Sequence, residues 1–338
     1  MQGERSIPLK GVRKARSLQA MSWLPAPQEP LLRVAVTGGT HGDELCGVFL
    51  ARHWLRCPEE LKRPSFSAIP ILANPEASAI CRRYVHKDLN RSFTSTFLNS
   101  KATPDEPYEV TRARELNQQL GPKASGQAFD FTLDLHNTTA NMGACIITKA
   151  NCSVFAMHMC RYLQLRSLEL PCRVFLLQPS GETFNLDSVA KIGMALELGP
   201  QPHGVLRADR FSQMRALVAA SLDFIQLFNQ GTAFPAFEME VYKNFGEEDF
   251  PRTEAGDLAG MVHPQLQDRD FEPLQPGAPI FQLFSGEDVL YQGDRTMYPI
   301  FINEAAYYKT HKAFIKTEKI MTSVPALPPL PSALTHSL

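Results

Sequence analysis

No hydrophobic run in the 338-residue chain approaches the ~20 apolar residues that a membrane-spanning helix needs. The amino terminus lacks the apolar core of a secretory signal. An excess of one charge is missing too: 34 Lys and Arg stand against 35 Asp and Glu, a formal net charge of -1. No global field therefore draws the molecule to nucleic acid or to an anionic bilayer. Cysteine is sparse and unpatterned. The seven thiols (Cys46, Cys57, Cys81, Cys145, Cys152, Cys160 and Cys172) include no C-x-x-C pair, which suits reduced, mostly buried thiols in the cytosol better than a disulfide framework. Cys46, two residues after Glu44, reads as a small buried hydrophobe. There is no internal repeat.

What is present fits an ordinary globular protein of one large domain or two unequal ones: 44% hydrophobic and 20% charged residues. Residues 1–30 read as a flexible basic extension. Its first part, "MQGERSIPLKGVRKARSLQA", carries Arg5, Lys10, Arg13, Lys14 and Arg16 against Glu4 alone, and Pro8 and Gly11 interrupt any helix. Met21 is a candidate second start. Over 31–231 apolar β-rich runs alternate with helical patterns. "LRVAVT", "FSAIPILANP", "DFTLDLH", "RVFLLQ" and "IGMALELGP" read as strands; "ELCGVFLARHWL", "YEVTRARELNQQLG", "SVFAMHMCRYLQL" and the long stretch ending at Gly231 read as helices. This alternation predicts a largely parallel sheet covered on both faces. Over 232–322 the texture shifts to short β-rich segments split by Gly, Asp and Pro, which predicts a smaller, mostly β domain. Residues 323–338 form a proline-rich tail expected to be extended and flexible. Its P-x-x-P spacing suits an SH3-like groove, although an unconstrained tail is the commoner reason for such composition.

The first strand ends in "TGGTHGDELCG". Gly38, Gly39, Gly42 and Gly47 match neither a P-loop nor the G-x-G-x-x-G dinucleotide fingerprint, so phosphate cradling is excluded. His41 and Glu44 are one nitrogen and one oxygen ligand three residues apart, just past a strand's carboxyl end. Zn²⁺ takes such mixtures most often, and open parallel sheets bind ligands at that edge. Alone, H-x-x-E is a common accident. "DFTLDLH" delivers His136 to the same kind of position, and His₂Glu is a ligand set of catalytic zinc. Asp134 is either an orienting partner or merely a charge at a sheet end. "CRRYVHKDLNRSF" packs Arg82, Arg83, Asn90 and Arg91 into a segment without an apolar face: a solvated loop, or forks for a carboxylate and an oxyanion. Glu197 interrupts an apolar strand. Such a charge is expensive unless paired or functional, and beside a metal it suits a general base that then serves as acid.

Together "GGTHGDELCG", "DLNRSF", "DLHNTT", "ELGPQPHGVLRAD" and "PIFINEAAYY" resemble the aspartoacylase family of zinc amidohydrolases over roughly residues 31 to 320, and its aminoacylase III branch most of all. The resemblance implies an α/β fold like that of the zinc carboxypeptidases, a mixed sheet flanked by helices, with a smaller carboxyl-terminal mostly-β domain capping the active site. It implies one Zn²⁺ per subunit on His41, Glu44 and His136, and Glu197 as general base and acid. Arg83 polarises the acyl carbonyl; Asn90, Arg91 and Tyr307 hold the substrate carboxylate. The expected substrates are small N-acyl amino acids, above all N-acetyl aromatic amino acids and S-substituted N-acetylcysteines (mercapturates). A cytoplasmic homo-oligomer is expected, with no nucleic-acid partner and with peripheral membrane association left open. Rival readings are an N-acetylaspartate deacylase, a zinc carboxypeptidase, and a non-catalytic interaction protein working through its basic front and P-x-x-P tail.

Two departures stand out. Where aspartoacylase proper has an arginine for a side-chain carboxylate, "SGETFNLDSVAKIGMALE" has none and places Asp187 nearby, which disfavours N-acetylaspartate. Asp43 stands where the family commonly has asparagine. The sequence leaves open whether it tightens the metal, lowers its Lewis acidity, or faces solvent.

Overall fold

The computed structural model describes residues 21–167, 169–178 and 181–330. The strands are β1 (Arg33–Gly38), β2 (Lys62–Arg63), β3 (Phe66–Leu72), β4 (Phe131–Asn137), β5 (Gly143–Lys149) and β6 (Cys172–Leu177). They continue with β7 (Ile192–Gly199), β8 (Phe237–Glu248), β9 (Gly260–Val262), β10 (Pro279–Leu283), β11 (Asp288–Leu290) and β12 (Phe314–Val324). The helices are α1 (Leu45–Arg56), α2 (Pro75–Ala79), α3 (Ser95–Leu98), α4 (Tyr108–Leu120), α5 (Val154–Arg166) and α6 (Ala208–Asn229). Nine strands form one sheet in the order β12-β8-β6-β5-β7-β4-β1-β3-β2, and β11-β10-β9 form a second.

The apolar run of β1 shows why the large sheet is buried on both faces. Side chains alternate across a strand, and Val34 and Val36 join one core with Leu50 and Trp54 of α1, Phe155 of α5 and Phe224 of α6. Ala35 points the other way, into a core with Ala113, Leu116 and Leu120 of α4. Each such fully buried large side chain contributes roughly 1.5–3 kcal/mol relative to exposure. The sheet is mixed: five of its eight strand pairings are parallel, while β5 with β7, β12 with β8 and β2 with β3 are antiparallel. Sequence patterning passed over β5, "GACIITK", which lies beside the central strand β7. "MYPIFIN" makes no strand; it contributes two isolated bridges, Met297 to Leu274 and Ile300 to Ile315.

The segment boundaries differ from those expected. Residues 1–20 lie outside the described part, but 21–30 do not form a free extension: Met21, Trp23 and Ala26 pack on the main core, and Leu24 bridges Ser153. Burial of these apolar groups explains the order. The carboxyl-terminal portion also lends β8 and β12 to the large sheet, and keeps its own core around Phe250, Phe281, Met297 and Phe314. The proline-rich tail starts later than its composition suggests, because Val324 and Leu327 are fully buried and Leu327 pairs with Phe234. Residues 331–338 lie outside the described part. No helix among the described residues is long and apolar enough to cross a membrane.

Candidate metal centre and active site

At the carboxyl ends of β1 and β4 the backbone leaves two donor-bearing segments side by side, with Gly38 opposite Leu135 in register. After β1 the chain must turn sharply into α1. Gly39 takes a left-handed φ of +71°, and a Cβ on Gly42 would lie 2.2 Å from Ala77 backbone, so only glycine lets the loop pass under α2. That turn puts His41 and Glu44 against His136, the last turn before α1 making Glu44 its N-cap.

The three side chains are almost wholly buried, and one ligand atom from each lies within 4.8 Å of the others. Both imidazoles present Nδ1: His41 Nδ1 is 2.6 Å from Glu44 Oε1 and His136 Nδ1 is 2.9 Å from Glu44 Oε2. Their far nitrogens are held by carboxylates. His41 Nε2 is 3.0 Å from Asp88 Oδ1, and His136 Nε2 is 2.8 Å from Asp134 Oδ2. A carboxylate behind each imidazole fixes the tautomer that leaves Nδ1 free for a cation. The donor chemistry thus fits a His₂Glu zinc site. Asp134 is itself pinned, accepting hydroxyl protons from Thr37 at 2.6 Å and Thr40 at 2.8 Å; of its two readings, the orienting partner is the one the contacts support. Cys46 stands apart as a buried thiol whose Sγ lies 3.2 Å from Gln201.

Electrostatics follow from this crowding. Burial resists charge on Glu44, yet the two imidazoles hold its carboxyl well below the usual range. Burial likewise resists charge on His136, but Asp134 and Glu44 raise it well above an ordinary histidine. Glu197 has no such cation clasped to it. Burial first, and then the Glu44 charge, push its carboxyl up to about 8.

The arginine-asparagine segment is a structured loop. Glu109 of α4 accepts from the backbone N–H groups of Val85, His86 and Lys87 at 2.6 to 3.1 Å, which holds the loop over the metal side. Arg83 donates to Glu44 Oε1 at 3.1 Å and approaches Asp88 at 3.5 Å. Asn90 accepts from Leu186 N at 3.0 Å, and Arg91 stacks over Phe184 at 4.8 Å. Tyr307 comes from the carboxyl-terminal portion, its phenol pushed up by burial. All eight expected residues, His41, Glu44, Arg83, Asn90, Arg91, His136, Glu197 and Tyr307, line one cavity of about 250 Å³. The same cavity is lined by the apolar Ile147, Phe175, Leu177 and Ile315, and by Asp187 and Lys149. Burial and then Asp134 push the Asp187 carboxyl up to about 6, while Lys149 acts against them. Asp187 is therefore not the sole charge in that part of the cavity.

Residues 30–225 match the model of the succinylglutamate desuccinylase/aspartoacylase catalytic domain, and residues 237–319 that of the AstE/AspA barrel-sandwich hybrid domain. The chain belongs to this family. A human protein named N-acyl-aromatic-L-amino acid amidohydrolase (carboxylate-forming) is 72% identical over 314 residues, 93% of this chain and 98% of its own length. Mouse aspartoacylase is 46% identical over 301 residues, 89% of this chain and 96% of its length. The crystal structure of murine aminoacylase 3 superposes with a TM-score of 0.87 at 68% identity, covering 89% of this chain and 99% of that one. A succinylglutamate desuccinylase from Vibrio cholerae, 18% identical with a TM-score of 0.59, shares the fold. Family membership makes the α/β catalytic portion and the appended β portion a common plan.

Sequence reading did not single out Asp88, His203 or Glu304 as site groups. Asp88 sits within the quoted "KDLNR". Glu304, in "FINEAAYY", breaks an apolar run much as Glu197 does, so the cost of burying a charge could have marked it. His203 lies within the quoted "ELGPQPHGVLRAD" but was given no role of its own.

Proposed function

We propose that the protein hydrolyses the amide bond of N-acyl amino acids, N-acetyl aromatic ones in particular, releasing a carboxylate and the free amino acid. The observation that carries this reading is the convergence of His41 Nδ1, Glu44 and His136 Nδ1 in a cavity that also holds Glu197 and Arg83. The names of the relatives support the reaction, and the Phe175, Ile147 and Leu177 wall supports an aromatic or thioether side chain over a charged one. Mercapturates fit the same wall.

We assign one Zn²⁺ per subunit to His41, Glu44 and His136, on the strength of their mixed nitrogen and oxygen donors. Bound there, zinc supplies Lewis acidity and lowers the pKa of water toward about 7. Glu197 takes the proton of the attacking water and hands it to the departing amine nitrogen, serving as base and then as acid. Arg83 donates to the developing oxyanion. Asn90, Arg91 and Tyr307 hold the substrate carboxylate and so fix which bond faces Glu197. Asp88 and Asp134 keep both imidazoles turned. Seven free thiols favour a reducing, cytoplasmic setting. A homo-oligomer rests on the family resemblance alone, and sedimentation tests it.

Metal analysis with turnover of N-acetyl-L-tyrosine, N-acetyl-L-aspartate and a mercapturate tests the assignment. Zinc at one equivalent and a preference for N-acetyl-L-tyrosine are expected. Undiminished turnover in Glu197→Ala, or faster hydrolysis of N-acetyl-L-aspartate, defeats it.

A further inference from the structure

Asp43 neighbours the candidate ligand Glu44, yet it is not one of the three residues whose donors converge. Its Oδ2 lies 3.6 Å from His203 Nδ1, and its carbonyl accepts from Gly204 N at 2.8 Å. The other nitrogen of the same ring, His203 Nε2, lies 3.3 Å from Glu304 Oε1, close enough for charge attraction though not aligned as a hydrogen bond. Glu304 ties two segments together. Through Oε2 it accepts from Thr139 N at 2.7 Å and from the Thr138 hydroxyl, just beyond His136; through Oε1 it caps the turn leading to Tyr307, accepting from Ala306 N at 3.0 Å.

We propose that His203 is a positioning residue: it bridges Asp43 of the metal-side loop to Glu304 of the carboxyl-terminal portion and so fixes the turn that carries Tyr307 over the cavity. On this assignment Asp43 serves the bridge and not the metal. Only the protonated ring carries the positive charge that attracts both carboxylates, one near each of its nitrogens. Burial opposes its charge, and the Glu304, Glu44 and Asp43 carboxylates, in that order, raise it. Without that ring the Asp43 and Glu304 carboxylates, 14% and 3% exposed, would share the space with no cation between them, a costly arrangement in a poorly solvated site. Relief would come through the short helical turn Ala305–Thr310, which has no buried residue to anchor it. Tyr307 would move with it.

The inference deepens the amidohydrolase reading and rests on it. Its test compares wild type, His203→Gln, His203→Lys and the double variant Asp43→Asn/His203→Gln, each zinc-loaded, on N-acetyl-L-tyrosine. Amide exchange over residues 303–310 is followed by mass spectrometry. For His203→Gln, KM is expected to rise about 10-fold with kcat within about twofold, and exchange of the turn to accelerate about 10-fold. His203→Lys, which keeps a cation, should return KM to within about threefold of wild type, and the double variant should recover about half of the loss on a logarithmic scale. Unchanged KM and exchange in His203→Gln, or a double variant no better than His203→Gln, overturns the bridge. If His203→Gln does not fold, a folded double variant supports the pairing and an unfolded one overturns it. Absence of turnover by wild type would count against the amidohydrolase reading, and the exchange rates would still decide the bridge.

Discussion

His136 and Glu197 occupy paired register positions on neighbouring parallel strands, β4 and β7. Adjacent parallel strands lie about 4.8 Å apart with paired side chains on the same face. A proposed ligand and the proposed proton carrier are thus fixed side by side by backbone pairing alone. Replacing Glu197 by glutamine preserves shape and removes only the proton acceptor. We expect kcat/KM on N-acetyl-L-tyrosine to fall by about 10³ with bound zinc unchanged, measured by steady-state kinetics and elemental analysis. Loss of zinc in Glu197→Gln would instead make the residue a ligand.

Asp134 holds the far nitrogen of His136 at 2.8 Å. Asp134→Asn should weaken zinc binding by about 10- to 100-fold, read by competition with a chromophoric chelator. In both proteins affinity should fall as pH drops, because each imidazole must shed its proton to bind. The metal-free chain holds the His136 proton well above the ordinary histidine range, so this competition should extend through neutrality. A flat affinity between pH 6 and pH 8 would contradict it.

Asp187 shares the cavity with Lys149. Asp187→Asn removes the anion and leaves the lysine, so kcat/KM for N-acetyl-L-aspartate should rise about 10-fold while that for N-acetyl-L-tyrosine stays within about threefold. Equal changes on both substrates would show that Asp187 shapes the wall without reading charge.

Glu304 gives a stability prediction. Burial works against its ionisation, yet His203 and Thr138 lower its carboxyl from 4.5 to about 2. A folded value below the unfolded one means the stabilisation is fully present above pH 4.5 and is lost as pH falls toward 2, on the order of 3 kcal/mol. Urea unfolding at pH 6.5 and pH 3 should therefore show Glu304→Gln clearly weaker than wild type at the higher pH, with the gap cut to roughly half at the lower. A gap that does not shrink would mean that lost hydrogen bonds, not charge, carry the effect.

Much of this was legible in the sequence because strand ends are. His41, Glu44, His136 and Glu197 each interrupt or terminate an apolar run, where a polar residue must have a reason. The partners were not legible, for a physical reason: Asp88 reaches His41 across 47 residues and Glu304 reaches Thr138 across 166, and no local pattern reports such a meeting. β5 was missed because it opens on glycine and follows a polar turn with no helix before it, so its place is set by pairing with β6 and β7. The packing of the flanking segment 21–30 was not legible, because there composition and packing disagree. "MSWLPAPQEP" looks like linker, and Trp23 nonetheless finds an apolar surface.

The contact of Trp23 with the last long strand has a practical consequence. Its indole nitrogen donates to Ser323 O at 3.0 Å, at the end of β12 where that strand pairs with β8. The other tryptophan, Trp54, is sealed inside α1's face of the core. The chain thus carries one fluorophore at the seam where its first and last described segments meet and one at its centre. Unzipping of β12 would shift the emission of Trp23 to the red while Trp54 stayed dark to quencher. The protein reports from within whether its final strand is seated.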